Sequence, residues 1–186
     1  AQGVEVKMLY DDIGCMVTLP GDYTVYLRSK GIDAHKFNKV IPRMTVAYNN
    51  RDHRKILVID GQISYTGGIN LADEYINRIE RFGHWKDSGI RIDGPATQAF
   101  TRLFLMNWYI NRFLTLRQTA FTDPHSFFSE YAKLPDEEAI GIARSIWRRI
   151  NLPNLTQNIR PTRGRATAIL HKGPDHEVKN VWIRKI

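Results

Sequence analysis

Apolar and polar residues alternate over positions 3 to 10, with Val4, Val6 and Met8 set against Glu5 and Lys7. A two-residue period of this kind predicts a strand, here ending in the turn Asp11-Asp12-Ile13-Gly14. Positions 23 to 29 read as a short helix with Gly31 as its stop signal, and positions 32 to 37 as the following strand. Pro42 and Arg43 belong to a connecting loop, from which residues 44 to 48 lead toward two β-branched runs, 56 to 59 and 63 to 66. The Asp60-Gly61 pair between those runs is a strong hairpin signal. A helix is expected over residues 71 to 79, then a strand about Ile90 and Ile92. Pro95 opens a long amphipathic helix striped by Ala99, Leu103, Met106, Ile110 and Leu114. Residues 121 to 134 have no readable period. Residues 137 to 150 read as helix, 151 to 165 (with Pro153, Pro161 and Gly164) as linker, and 166 to 170 as a strand. Strand, helix, strand, hairpin and helix in succession predict an α/β fold.

With Asp60 and Gly61 at the centre of the turn, Lys55 faces Thr66 and His53 faces Gly68. His53 and Lys55 are two apart and project from one face of the strand, whereas Asp60 has the opposite parity. The second strand runs into Gly67-Gly68-Ile69-Asn70, and the helix expected from Leu71 turns its positive end toward the same place. An imidazole, an ammonium, a glycine pair and a carboxamide therefore converge on a site suited to a phosphate, with Lys55, Gly67, Gly68 and Asn70 as its binding candidates. Asn70 with Asp73 also makes a helix N-cap pair, and both readings of Asn70 stand. Asp11 and Asp12 read as turn residues, since no further ligand lies at metal-binding spacing.

Composition bounds the chemistry without choosing it. A chain of 186 residues with 42% hydrophobic content suffices for one sizeable core and argues against disorder. No stretch approaches the roughly 18 apolar residues of a membrane span. The single cysteine, Cys15, excludes an internal disulfide and a cysteine zinc cluster. A net charge of +8 favours anionic partners, nucleic acid and acidic membrane alike.

His53-x-Lys55, four residues, Asp60, six residues, then Gly67-Gly68-x-Asn70 resembles the HKD motif of the phospholipase D superfamily. The flanks are similar to bacterial cardiolipin synthases in particular: Asn49-Asn50-Arg51-Asp52 before it, Leu71-Ala72-Asp73-Glu74-Tyr75 after it, and Arg81-Phe82-Gly83-His84-Trp85-Lys86-Asp87 beyond. Many superfamily members have Gly-Ser where this chain has Gly67-Gly68, which removes one hydroxyl donor but not the loop. The resemblance implies a phospholipase D-like lobe, a mixed β-sheet flanked by helices and incomplete at both ends. Residues 1–120 would be that lobe, 121–165 a helical segment and inter-lobe linker, and 166–186 the first strand and partial helix of a second lobe opened by Gly173-Pro174-Asp175.

The same resemblance implies a phosphatidyltransferase that joins two phosphatidylglycerol molecules into cardiolipin with release of glycerol, through a phosphohistidine and without metal or cofactor. His53 would be the nucleophile, Lys55 the phosphate-binding cation and Asn70 a donor to a phosphoryl oxygen. Asp87 would be the acceptor that orients the imidazole, while Asp60, although part of the motif, reads as structural from its parity and its place in the turn. Arg51 and Arg54 would either help hold an anionic headgroup or pair with Asp52. The implied partners are anionic phospholipid, a membrane surface in the bacterial cell membrane reached through parts of a longer parent chain, and a second motif-bearing lobe. That lobe would come from the parent chain or from a second copy in a homodimer; no second His-x-Lys-x4-Asp occurs, and nucleic acid is not expected as a partner. The alternatives are a phospholipase D-like phosphodiesterase or nuclease acting as a homodimer, and an inactive basic binding module.

Overall fold

A computed structural model describes residues 3–37, 52–172 and 177–183, and the chain divides into two compact units, Ala1–Glu137 and Glu138–Ile186. In the first unit, β1 (Val6–Asp11) and β2 (Ile32–Phe37) pair in parallel, Val6 opposite Ile32. The connection between them carries α1 (Asp12–Cys15) and α2 (Tyr23–Ser29). Asp11 accepts the Gly14 N–H at 3.0 Å and so caps α1, the turn role its sequence predicts. Gly31, at φ 81°, supplies the left-handed residue that lets the chain leave α2 and enter β2 at once. Tyr10, Leu27 and Ala34 are the buried centre of this subdomain, with Met8, Cys15, Leu19, Tyr23 and Ile32 packed around them.

The second sheet is antiparallel, in the order β3 (Lys55–Ile59), β4 (Ile63–Gly67), β5 (Gly89–Asp93). The hairpin turn forms at Asp60 and Gly61, both with positive φ, and Gln62 N–H donates to Ile59 O at 3.0 Å. The ladder nevertheless pairs Ile59 with Ile63, because Gln62 is held out of it with its carbonyl accepting Gly94 N–H at 2.9 Å. Register is thereby displaced by one residue from the expected one: Lys55 lies opposite Gly67, not Thr66.

Helix α3 (Thr97–Arg117) fastens to both sheets of this unit. At its start the fully buried Thr97 places Oγ1 3.0 Å from Ile92 O, 3.2 Å from Gln62 O and 3.3 Å from Ser64 Oγ, while Gln98 Nε2 donates to Gly61 O at 2.6 Å. Further along, Asn111 Nδ2 donates to Lys36 O at 2.6 Å and the Trp108 ring meets His35 edge-on at 4.9 Å. Its C-terminal Arg117 is buried and bonds the Tyr131 and Leu134 carbonyls and the Asp136 carboxylate. These bonds order the aperiodic stretch after α3, which folds as the 3-10 turns Ala120–Thr122 and Ser129–Lys133, with Phe113 and Phe121 5.4 Å apart in its apolar filling. They also place the division between units at Glu137, beyond the expected boundary at residue 120.

In the second unit α4 (Asp136–Ile146) continues through two π-helical stretches, Trp147–Asn151 and Asn154–Ile159, into α5 (Arg160–Arg163). The linker expected at 151–165 is therefore helical. Pro153 falls between the two widened stretches, and Pro161 sits in the first turn of α5, where no N–H is needed. Strands β6 (Ala168–Lys172) and β7 (Val178–Ile183) pair antiparallel. The partial helix expected after residue 177 is thus a strand, consistent with its Val178, Val181, Trp182 and Ile183. Among the described residues the architecture is mixed α/β, built from three small ladders. The expected Pro42–Arg43 loop, the run 44 to 48, Arg51 and the Gly173-Pro174-Asp175 turn lie outside the described residues. Among the described residues no helix is long and apolar enough to cross a membrane.

Candidate functional site

His53 precedes β3 and Lys55 opens it, so the two-residue spacing of an extended chain carries both side chains to one side. Lys55 Nζ lies 3.0 Å from His53 Nδ1, 2.9 Å from Nε2 and 2.8 Å from the His53 carbonyl oxygen. The ammonium thus donates to whichever ring nitrogen is unprotonated. Partial burial pulls the Lys55 amine below its ordinary value, and the nearby Asp87 carboxylate opposes that fall.

The segment before His53 is fixed by Asp52, a residue not singled out as a site member from the sequence. Arg54 grips the Asp52 carboxylate with Nε at 2.7 Å and Nη2 at 2.6 Å, and Asn107 of α3 adds a third bond at 3.0 Å. Hydrogen bonding from Arg54, chiefly, holds the Asp52 carboxyl below the usual carboxylate range. Of the two readings of Arg54, pairing with Asp52 is the observed one.

A side chain at Gly67 would meet fixed backbone, and one at Gly68 would have to displace the Asp87 carboxylate. A Cβ at Gly67 would lie 2.8 Å from Ser88 O, and one at Gly68 2.5 Å from Asp87 Oδ2 and 2.8 Å from Oδ1. Asp87 therefore packs directly on the Gly68 backbone, within electrostatic reach of Lys55. Its Oδ1 accepts Ser88 N–H at 2.7 Å and its Oδ2 accepts Trp85 Nε1–H at 3.4 Å. Asp87, expected as the hydrogen-bond acceptor that orients the imidazole, does not meet it: both His53 ring nitrogens lie beside Lys55 Nζ, and Asp87 acts on the pair through the charge of Lys55.

Two other expectations change. The helix expected over 71 to 79 is a single 3-10 turn, Asp73–Ile76, ended by the left-handed Asn77 at φ 59°. It is too short to bring a helix dipole to the site. Ala72, not Asn70, occupies its N-cap, so the capping reading of Asn70 falls. Asp60, part of the motif but read as structural, stands in the hairpin turn at φ 51°. Seven extended residues separate it from His53, on the order of 20 Å; its role is the turn. His53, Lys55, Gly67, Gly68 and Asp87 come together, Asn70 follows on the same edge, and Asp60 does not join them.

No protein-family model matches the chain. A protein of Cutibacterium acnes named pantothenate kinase is 78% identical over 162 residues, covering 82% of this chain and 43% of its own length. Proteins of the same name from a Bradyrhizobium species and from Streptococcus pyogenes serotype M5 are 42% identical over 154 residues and 35% identical over 152. They align with 82% of this chain and with 45% and 44% of their own lengths, so the chain spans less than half of the curated relatives it matches.

These names overturn the resemblance to the phospholipase D superfamily as a guide to function. The cardiolipin synthase reading is corrected, and with it the phosphatidyl transfer, the phospholipid and membrane-surface partners, the second motif-bearing lobe and the homodimer. The phosphodiesterase, nuclease and binding-module alternatives match these names no better. The spacing of His53, Lys55 and Gly67-Gly68 is a property of this sequence and holds without the family. No Gly-x4-Gly-Lys-Ser/Thr phosphate loop occurs among the 186 residues, so the phosphate-binding features of this chain are those of the hairpin.

Proposed function

We propose that this chain carries a phosphoryl-binding corner of a kinase, with ATP as phosphoryl donor and pantothenate, the substrate in its relatives' name, as acceptor. The observation that carries the site is the contact of Lys55 Nζ with His53, beside the Gly67-Gly68 edge on which Asp87 packs. Lys55 supplies a point charge to a phosphoryl oxygen and Asn70 an amide donor. His53 serves as the base that takes the proton of the acceptor hydroxyl as its oxygen bonds the γ-phosphorus of ATP and the bond from that phosphorus to the departing ADP breaks. Asp87 keeps Lys55 charged and in place.

Kinases supply magnesium charge to the transferring phosphoryl group. Among the described residues no three His, Cys, Asp or Glu side chains are grouped to hold a metal ion. The residues of the corner itself fit one phosphoryl group and a proton acceptor. The test is formation of phosphorylated pantothenate from ATP by the purified protein and by its His53→Ala and Lys55→Ala variants. Turnover lost in both variants supports the reading. Turnover indifferent to both, or none in the unaltered protein, overturns it.

A further inference from the structure

The Asp87 carboxylate is held from outside the site, through a segment that touches neither His53 nor Lys55. Asn77, at the end of the 3-10 turn, clasps Trp85 across eight residues: its Nδ2 donates to Trp85 O at 2.9 Å and its Oδ1 accepts Trp85 N–H at 2.6 Å. Trp85 is packed between rings on either side, Tyr75 at 4.7 Å edge-on and Phe82 at 6.1 Å, and is half-buried in a segment that is otherwise mostly exposed. Its indole N–H then points to Asp87 Oδ2, the oxygen that lies closest to the Gly68 backbone. The loop between residues 77 and 85 is closed by side-chain bonds, not by secondary structure. Asp87 has no such anchor of its own beyond the Ser88 N–H next to it in the chain.

We infer that Asn77 and Trp85 are positioning residues that hold the Asp87 carboxylate against Gly68, next to the ladder rung where Lys55 stands opposite Gly67. The inference rests on the site proposed above but concerns the state of Lys55, which is measurable without turnover. Asp87 raises the affinity of the Lys55 amine for its proton against the opposing effect of burial. Releasing Asp87 leaves burial unopposed, and Lys55 then loses its proton at lower pH.

The experiment is a ¹⁵N NMR titration of Lys55 Nζ in the full chain and in two variants, with inorganic phosphate as probe in a parallel binding series. Asn77→Gly removes the clasp while keeping the left-handed backbone free of strain. Trp85→Phe removes the indole N–H while keeping a ring. Both should move the Lys55 titration, and with it the alkaline loss of phosphate binding, to lower pH, with near-neutral phosphate affinity little changed. Lys55 titrating identically in all three folded proteins overturns the inference. Loss of phosphate binding at every pH with near-UV circular dichroism also lost points to a structural role and overturns it as well. If the unaltered protein binds no phosphate, the proposed function fails while the Lys55 titration still decides this inference.

Discussion

Asn107, in the middle of α3, donates its side-chain N–H to Asp52 across fifty-five residues of sequence, at 3.0 Å, and is itself only 9% exposed. The residue before His53 is thereby tied to the longest helix of the unit. Asn107→Ala should cost about 1 kcal/mol in urea unfolding, since Asp52 keeps Arg54 as a partner. The acid side is more telling. The Asp52 carboxyl is held low in the folded protein, so its contribution is present above its ordinary value near 3.8 and fades as pH falls through the lower folded value. That acid dependence should shrink in Asn107→Ala, measured as unfolding midpoint against pH.

Lys55→Ala should weaken binding of inorganic phosphate about tenfold, the scale of one charge-assisted hydrogen bond, as read by isothermal titration calorimetry. Because burial sets the Lys55 amine below 10.5, binding by the unaltered protein should fall away on the alkaline side before a free lysine amine would titrate. An alkaline limit unchanged from that of a free amine would count against Lys55 as the cation.

The two glycines should separate stability from binding. A Cβ at Gly67 meets the Ser88 carbonyl, fixed in the β4–β5 ladder region, and Gly67→Ala should cost about 1–3 kcal/mol of stability. A Cβ at Gly68 meets only the Asp87 carboxylate, which can swing away. Gly68→Ala should therefore alter phosphate binding and the Lys55 titration with a smaller change in unfolding free energy.

Thr97→Val keeps the shape of a fully buried side chain but removes the hydroxyl shared by Ile92 O, Gln62 O and Ser64. Leaving these groups without their partner in the interior should cost about 2 kcal/mol, measured by urea unfolding. Ser64→Ala made together with it should recover part of the loss, because one orphaned hydroxyl is then gone.

His35 faces Arg28 through Nδ1 at 3.1 Å and Asp33 through Nε2 at 3.0 Å, with Trp108 edge-on and Arg112 nearby. Burial, chiefly, lowers its proton affinity, with Arg28 and Arg112 adding to the fall and Asp33 opposing it. The unfolded chain binds this proton more readily, so stability is intact above 6.5 and declines as pH drops toward the folded value. His35→Gln should flatten that part of the stability profile.

Local order was legible in the sequence wherever one residue type enforces one conformation. Asp60-Gly61 located the turn, and Gly31 ended α2 where expected, with the strand after it running over the expected residues 32 to 37. Two things escaped for a common reason. The outward placement of Gln62 depends on Gly94, and the fate of residues 71 to 79 depends on Asn77 binding Trp85, both partners remote in sequence. A preference for left-handed backbone at Asn77 was the one local signal available for the second. At the site, parity placed His53 and Lys55 together and set Asp60 apart, but no local pattern announced that Asp52 is held by Asn107 or that Asp87 addresses Lys55 instead of the imidazole. The family expectation failed at another level: a short spacing of polar residues describes a pocket for phosphate, and many reactions pass through such pockets.

The extra residue at the hairpin tip gives the far end of the molecule its chemistry. Because Gln62 stands aside, the rung that Lys55 occupies is completed by a glycine instead of a threonine. Were Gln62 instead paired opposite Ile59, leaving a two-residue loop, Thr66 would stand across from the ammonium in place of Gly67. Loop length at one end of the hairpin thus acts as a ruler for the other.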